Sequence, residues 1–124
     1  MDKPKILAID DEDNYTEIFE EYFSLRGYDI RVETDPRKAI GFIGNERFDV
    51  ILVDLKMGGV SGQDILKKVR DTDDRTKVII ITAYILSGKS KQELYDLGAY
   101  SINSKPINSL EELENTVNKA YSGN

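Results

Sequence analysis

One run of aliphatic residues near the middle of the chain constrains the fold most strongly. Residues 50–53 have the sequence Val-Ile-Leu-Val, with β-branched side chains at three of the four positions. Such a run cannot be one face of a surface helix, so it predicts a β-strand covered on both sides. Asp54 follows directly, and a carboxylate there loses hydration unless a cation or hydrogen-bond donors meet it. The alternative interpretation is that Asp54 only begins the turn that leads to Gly58 and Gly59.

Further strands and helices alternate along the chain on both sides of this run. Strands are predicted over residues 5–9, 30–33, 78–81 and 100–103. The second of these is half exposed, and the last is weak. Helices are predicted from 13 to about 25, from 36, from 61 or 62, from about 87 to 97, and from 108 or 109. We expect Asp13 to be the N-cap of the first helix. The apolar stripe of that helix comprises Tyr15, Ile18, Phe19, Tyr22 and Phe23, which we expect to pack in or near the core.

Alternation of strands with helices through short connections predicts one α/β domain, a parallel sheet with helices on both faces. Right-handed crossovers place the carboxyl end of every strand at the same edge of such a sheet. The polar residues that follow the strands are Asp10, Asp11, Asp54, Thr82 and Lys105. The sequence therefore predicts that these five side chains converge, although they lie far apart along the chain.

Three converging carboxylates repel one another and favour a divalent cation between them. The chain has neither cysteine nor histidine, so any metal ligands must be oxygen atoms. Mg²⁺ fits this donor set, because it usually binds through one or two carboxylates together with water and phosphoryl oxygens. The net charge of −6 argues against direct binding of nucleic acid, and no apolar run is long enough to span a bilayer. We expect a soluble, cytoplasmic protein.

The residues at the strand ends resemble the receiver domain of two-component response regulators. The matching motifs, which span essentially the whole chain, are Asp10-Asp11, Asp54, Gly62, Thr82-Ala83, Gly98-Ala99 and Lys105-Pro106. The resemblance implies a single receiver domain over residues 1–124 with its core at about 4–121. It also implies a doubly wound, five-stranded parallel sheet in the order 2-1-3-4-5, flanked by five helices.

The resemblance also implies a role for each residue at the strand ends. Asp54 is expected to be the phosphoacceptor, and Lys105 and Thr82 are expected to contact the phosphoryl group. The expected ligands of Mg²⁺ or Mn²⁺ are Asp10 (mostly through a bound water), Asp11, Asp54 and the main-chain carbonyl of Lys56. The peptide bond between Lys105 and Pro106 is expected to be cis, as the tertiary amide makes this isomer inexpensive.

The chain departs from the family pattern at three positions. Gly58 stands where a proline often follows the methionine, so the loop loses a fixed φ angle. Ile102 occupies the position of an aromatic residue whose ring usually moves inward on activation, and Ser104 replaces a common threonine. We therefore expect the conformational switch to depend on Thr82, Ala83 and the loop at Tyr84, with Ile102 as a modified element of it.

The family resemblance also implies the partners. We expect a sensor histidine kinase or a histidine phosphotransfer protein as donor, docking beside the first helix, and a downstream protein that contacts the 87–121 face. The chain would be a monomer or a weak, phosphorylation-dependent dimer, and it would be a signalling phosphoacceptor rather than an enzyme. The alternative is a degenerate receiver that is not phosphorylated and acts only as an interaction module.

Two other classes of protein fit the residues less well. A phosphatase with an aspartate nucleophile needs an acid/base carboxylate two residues later, where this chain has Lys56. A flavodoxin-like nucleotide binder needs an anion-binding loop after the first strand, where four acidic residues would repel phosphate.

The combination of Lys56 and Tyr84 beside the expected phosphoacceptor resembles that of single-domain phosphorelay receivers. Because neither side chain positions a water molecule for attack, we expect slow self-dephosphorylation.

Overall fold

The computed structural model describes residues 3–73 and 75–123, which form alternating strands and helices. The strands are β1 (Lys5–Ile9), β2 (Asp29–Glu33), β3 (Val50–Asp54), β4 (Lys77–Thr82) and β5 (Ala99–Ser104). The helices are α1 (Asp13–Leu25), α2 (Pro36–Asn45), α3 (Gly62–Thr72), α4 (Gly88–Asp96) and α5 (Leu110–Ser122). All strand pairs are parallel and the order is β2-β1-β3-β4-β5, which confirms the predicted fold.

The sheet separates two apolar cores, because successive strand residues point to opposite faces. In β3, Ile51 and Val53 pack with α2, α3 and α4, whereas Val50 and Leu52 pack with α1 and α5. Every residue of β3 is buried, as its aliphatic sequence predicts. The edge strand β2 has no fully buried residue, in agreement with its alternating pattern.

Most helix starts have the capping residues that the sequence indicates. Asp35, Ser61, Ser87 and Ser109 each accept a hydrogen bond from a backbone N–H of the following helix. The prediction for α1 is wrong, because Asp13 is the first helical residue and the N-cap is its predecessor, whose side chain makes no capping hydrogen bond. These caps fix the residue at which each of these four helices begins.

The apolar stripe of α1 is narrower than its spacing suggests. Phe19 and Phe23 are fully buried, and Tyr15 and Tyr22 pack partly buried against the same core, as predicted. Ile18 is 45% exposed and lies on the surface instead. Its position in the periodic pattern falls at the margin of the buried face.

A polar cluster ties α5 to α1 and to the turn that follows it. The buried carboxylate of Glu114 accepts hydrogen bonds from the hydroxyls of Tyr22 and Tyr28, at 2.8 and 2.7 Å, and pairs with Arg26 at 2.8 Å. Burial by itself raises the pKa of Glu114, but these donors outweigh it and hold the pKa below its ordinary value. Asn118 donates to Tyr28 at 3.0 Å and extends the cluster.

The helices differ in how firmly they are attached to the sheet. α4 has one fully buried side chain, Leu94, whereas α5 buries Leu113, Glu114, Val117 and Ala120.

Among the described helices, none has the length and apolar content that crossing a bilayer requires.

Candidate functional site

The three aspartates predicted to converge meet at the carboxyl ends of β1 and β3. Asp10 follows β1 and Asp54 ends β3, and both are buried, while Asp11 is exposed. One oxygen from each carboxylate lies within 4.8 Å of the others. Pairing of β1 with β3 produces this approach, since Ile9 lies opposite Val53 and sets the two strand ends side by side. The arrangement offers a hard cation three oxygen ligands.

The side chain of Lys105 lies among these carboxylates. Its Nζ is 2.9 Å from Asp10 Oδ2, 3.3 Å from Asp54 Oδ2 and 3.2 Å from Glu12 Oε2. The ring of Tyr15 covers the ammonium group, with its centroid 4.2 Å from Nζ. The Lys105 side chain is only 5% exposed, so most of its charge is compensated by these contacts rather than by water.

The charges in the site remain unbalanced, because several carboxylates share one ammonium group. Burial raises the pKa of both Asp10 and Asp54 despite the hydrogen bonds and positive charge of Lys105. Burial lowers the pKa of Lys105, but the hydrogen bond and charge of Asp10, with Asp54 and Glu12, raise it above its usual value. A second positive charge among the three aspartates would relieve their repulsion, so the residues fit a divalent cation.

Thr82 connects Lys105 to the centre of the sheet. Thr82 is buried at the end of β4, and its carbonyl accepts a hydrogen bond from the backbone N–H of Lys105 at 2.8 Å. Its hydroxyl accepts from the N–H of Tyr84 at 3.1 Å, which fixes the start of the next loop. The intervening Ala83 is exposed. The peptide bond between Lys105 and Pro106 is cis, as predicted.

Lys56 and Tyr84 contact each other on the loops that flank Asp54. The Lys56 ammonium lies 5.5 Å from the centroid of the Tyr84 ring, and that tyrosine is 55% exposed. The backbone N–H of Lys56 is a long 3.5 Å from Asp54 Oδ1. The role of the Lys56 carbonyl as a metal ligand stays a prediction.

Gly62 allows α3 to begin directly beneath Asp54. A Cβ at this position would lie 2.7 Å from the carbonyl oxygen of Asp54 and 2.9 Å from the Cα of Leu55. Both contacts are with backbone, which cannot swing aside as a flexible side chain would. The glycine therefore fixes how closely the loop after β3 folds back against its own strand.

Ile102 lies on β5 at the position where the family pattern has an aromatic residue. Its side chain is half-buried and packs against the core formed with α2, α3 and α4. Ile102 pairs with Ile80, and the β4–β5 register shifts nearer the start of the strand, between Val78 and Ile79. Movement of an aromatic ring is therefore not available here.

Two contacts in the site were missed by sequence reasoning. From the sequence, Glu12 is only one of the four acidic residues that follow β1, and Tyr15 is only part of the apolar stripe of α1. The structure places the carboxylate of Glu12 and the ring of Tyr15 against Lys105. The one signal that could have found Glu12 is its position directly after two residues of the strand-end motif.

A family model described as the response regulator receiver domain matches residues 6–118. Sporulation initiation phosphotransferase F of Bacillus subtilis (strain 168) is 33% identical over 121 residues, covering 96% of this chain and 94% of that protein. Other curated relatives are longer, and the matched stretch covers 25% of one and 49% of another.

Solved structures of receiver domains have the same fold as this chain. The receiver domain of the Francisella response regulator 1452 superposes with a TM-score of 0.87 at 31% identity, covering 98% of each chain. A response regulator protein from Burkholderia pseudomallei, whose structure has a phosphorylated aspartic acid, a calcium ion and citrate, superposes with a TM-score of 0.84 at 25% identity. That match covers 98% of this chain and 71% of that one. The chain therefore belongs to the family of response regulator receiver domains.

Proposed function

We propose that Asp54 accepts a phosphoryl group from a phosphohistidine in a reaction that requires Mg²⁺ or Mn²⁺. Membership of the receiver family implies a phosphoacceptor role in two-component signalling. The observation that carries the assignment to Asp54 is its buried carboxylate at the end of β3, which contacts Lys105 at 3.3 Å beside Asp10 and Asp11. The phosphorylated aspartic acid in the Burkholderia pseudomallei protein supports the same chemistry.

In the proposed reaction a carboxylate oxygen of Asp54 attacks phosphorus in line with the bond to the histidine nitrogen. The P–N bond breaks, the imidazole leaves with the electron pair and takes up a proton, and an acyl phosphate forms. A carboxylate is a weak nucleophile, so positioning and stabilisation of the phosphoryl oxygens supply most of the rate. Lys105 is proposed to hold one of these oxygens, and the Thr82 hydroxyl is proposed to bond another after transfer.

The proposed cation ligands are Asp10, Asp11, Asp54 and the main-chain carbonyl of Lys56. The fit rests on the three carboxylate oxygens that lie within 4.8 Å of one another and on their hard, oxygen-only donor chemistry. When bound, the cation supplies positive charge to the transferring phosphoryl oxygens. The calcium ion in the Burkholderia pseudomallei structure is consistent with a divalent site in such a protein.

The proposed partners are proteins. The donor is a sensor histidine kinase or a histidine phosphotransfer protein, and it docks beside α1, which borders the site through Tyr15. Output passes to a downstream protein through the face formed by residues 87–121, with the chain as a monomer or a weak dimer after phosphorylation.

The aspartyl phosphate is proposed to be long-lived. The Lys56 ammonium and the Tyr84 ring contact each other beside Asp54, where an attacking water would have to approach. A ring excludes water, and neither side chain has a carboxylate or carboxamide that would orient it. Slow hydrolysis suits a carrier in a phosphorelay better than a rapidly reset switch.

Intact-mass measurement with acetyl phosphate tests the proposed phosphoacceptor. The unmodified protein should gain one phosphoryl group in Mg²⁺ and none in a chelator, and Asp54→Asn should gain none. Asp29→Asn, at an exposed position of β2, is the matched control and should behave as the unmodified protein. Equal incorporation in Asp54→Asn would refute the assignment.

A further inference from the structure

Glu12 occupies the N-cap position of α1, but its side chain makes no capping hydrogen bond. Capping side chains are usually short, and their oxygen accepts from a backbone N–H in the first turn. The carboxylate of Glu12 instead accepts a hydrogen bond from Lys105 Nζ at 3.2 Å, across 93 positions of sequence. Its side chain is used for a contact within the site and not for its own helix.

This contact uses the last free donor of the Lys105 ammonium group. An ammonium has three N–H donors, and three carboxylate oxygens lie at 2.9, 3.2 and 3.3 Å from Nζ. The ring of Tyr15 covers the group at 4.2 Å. A phosphoryl oxygen can therefore bind Lys105 only if one of the three carboxylates leaves.

The three carboxylates differ in how easily they can leave. Asp10 and Asp54 are buried, so separating either from Lys105 without a cation in its place would leave a poorly compensated charge inside the protein. Asp10 would keep only the hydrogen bond that it accepts from the backbone N–H of Glu12, at 3.0 Å. The side chain of Glu12 is 58% exposed, and its carboxylate can return to solvent at little cost. Glu12 is also outside the group of three aspartates that could hold a cation.

We propose that Glu12 competes with the incoming phosphoryl group for Lys105 and so restrains phosphorylation of Asp54. This inference rests on the function proposed above, because it assigns Lys105 to a phosphoryl oxygen. Glu12 is then an autoinhibitory contact: it occupies Lys105 before transfer and moves into water when the phosphoryl group arrives. Removing its charge makes the site more receptive to a phosphoryl-like anion.

The test compares Glu12→Gln with Asp13→Asn, which removes the same charge from the next residue. Asp13 is exposed, and the ion-pair partners of Lys105 are Asp10, Glu12 and Asp54 instead. The probe is beryllofluoride, a phosphoryl mimic, titrated at saturating Mg²⁺ and followed through the amide NMR signals of Thr82 and Ala83. Initial rates of phosphate incorporation from acetyl phosphate are measured in parallel, and Glu12→Ala serves as a second variant.

Loss of an exposed ion pair is worth up to about 1 kcal/mol, or roughly two- to fivefold in an equilibrium constant. We expect Glu12→Gln and Glu12→Ala to lower the half-saturating beryllofluoride concentration by roughly this factor and to raise the incorporation rate. Asp13→Asn should change neither by as much, and the difference should shrink as salt is added, because ions screen an exposed pair.

An unchanged or higher half-saturating concentration in Glu12→Gln overturns the inference, since Glu12 would then be neutral or would help to position Lys105. An equal gain in Asp13→Asn also overturns it, because the effect would come from net charge alone. If the unmodified protein neither binds beryllofluoride nor gains phosphate, the proposed function itself fails. In the first two outcomes that function stands, so the two failures are distinguishable.

Discussion

Replacing Lys105 by methionine should lower the free energy of unfolding, because the buried carboxylates of Asp10 and Asp54 lose their positively charged partner. Methionine keeps much of the side-chain volume but has no positive charge and no donor. Removing one partner of a buried ion pair typically costs about 3–5 kcal/mol, whereas an exposed pair is worth about 1 kcal/mol or less. Asp10 and Asp54 are buried and Glu12 is mostly exposed. We therefore expect a loss of about 3 kcal/mol in the free energy of unfolding near neutral pH, nearly all of it from the two aspartates.

Urea unfolding of the Lys105→Met variant, with Lys91→Met as control, measures this cost. Lys91 lies exposed on α4, and its replacement should change stability by less than about 0.5 kcal/mol. The loss in Lys105→Met should be smaller at an acidic pH than near neutral pH, because protons neutralise the carboxylates. The sign follows from the raised pKa values of Asp10 and Asp54: their ionisation disfavours the folded state as pH rises.

Added Mg²⁺ should recover part of the loss, because a cation bound by the folded state stabilises it by mass action. A loss below about 1 kcal/mol would show that Lys105 behaves as an ordinary surface cation, and the reasoning would be wrong. An equal loss at both pH values would also contradict it, since unpaired buried carboxylates must respond to protons.

Three further predictions follow from particular residues. Gly62→Ala should destabilise by about 1–3 kcal/mol in urea unfolding because its Cβ would collide with backbone, whereas Gly41→Ala, in open space within α2, should stabilise by about 0.4–1 kcal/mol. Glu114→Gln should remove a contribution to stability that is present above pH 4.5 and lost as pH falls through the lowered pKa of Glu114, so its acid unfolding profile should be flatter below that pH. The double variant Lys56→Asn with Tyr84→Glu should shorten the lifetime of the aspartyl phosphate in Mg²⁺ buffer, and an unchanged lifetime or one of seconds in the unmodified protein would refute the proposed shielding.

The strand ends could be predicted because burial and handedness leave few alternatives. A run as apolar as that before Asp54 must be a covered strand, and parallel crossovers then bring Asp10 and Thr82 to the same edge. The convergence of these residues with Lys105 in the structure confirms this reasoning. The prediction succeeded because it needed only strand order and direction, and no side-chain detail.

The N-cap of α1 was predicted one residue too late, and the side chain of the observed N-cap residue has a partner far away in sequence. Capping rules assume that an N-cap side chain binds its own helix, and they favour Asp13 over Glu12. In the structure the side chain of Glu12 is taken by Lys105, a partner that no local pattern reveals. The predicted weak strand over residues 100–103 is confirmed, and β5 extends one residue further at each end. It runs along an edge of the sheet with a register shift, so it needs few apolar residues.

Because α4 buries only one side chain against the sheet, little free energy is needed to move it. Burying one leucine side chain stabilises by about 1.5–3 kcal/mol, and Leu94 is the one fully buried residue of that helix. Coupling between two sites in a protein is typically about 1–3 kcal/mol, which is of the same size. The proposed phosphorylation of Asp54 would thus supply enough free energy to reposition α4, which follows the Tyr84 loop, but not enough to detach α5 with its four buried residues. In native-state hydrogen exchange, the amides of α4 should therefore open at a lower free energy than those of α5, and α4 is the helix that the proposed phosphorylation would displace first.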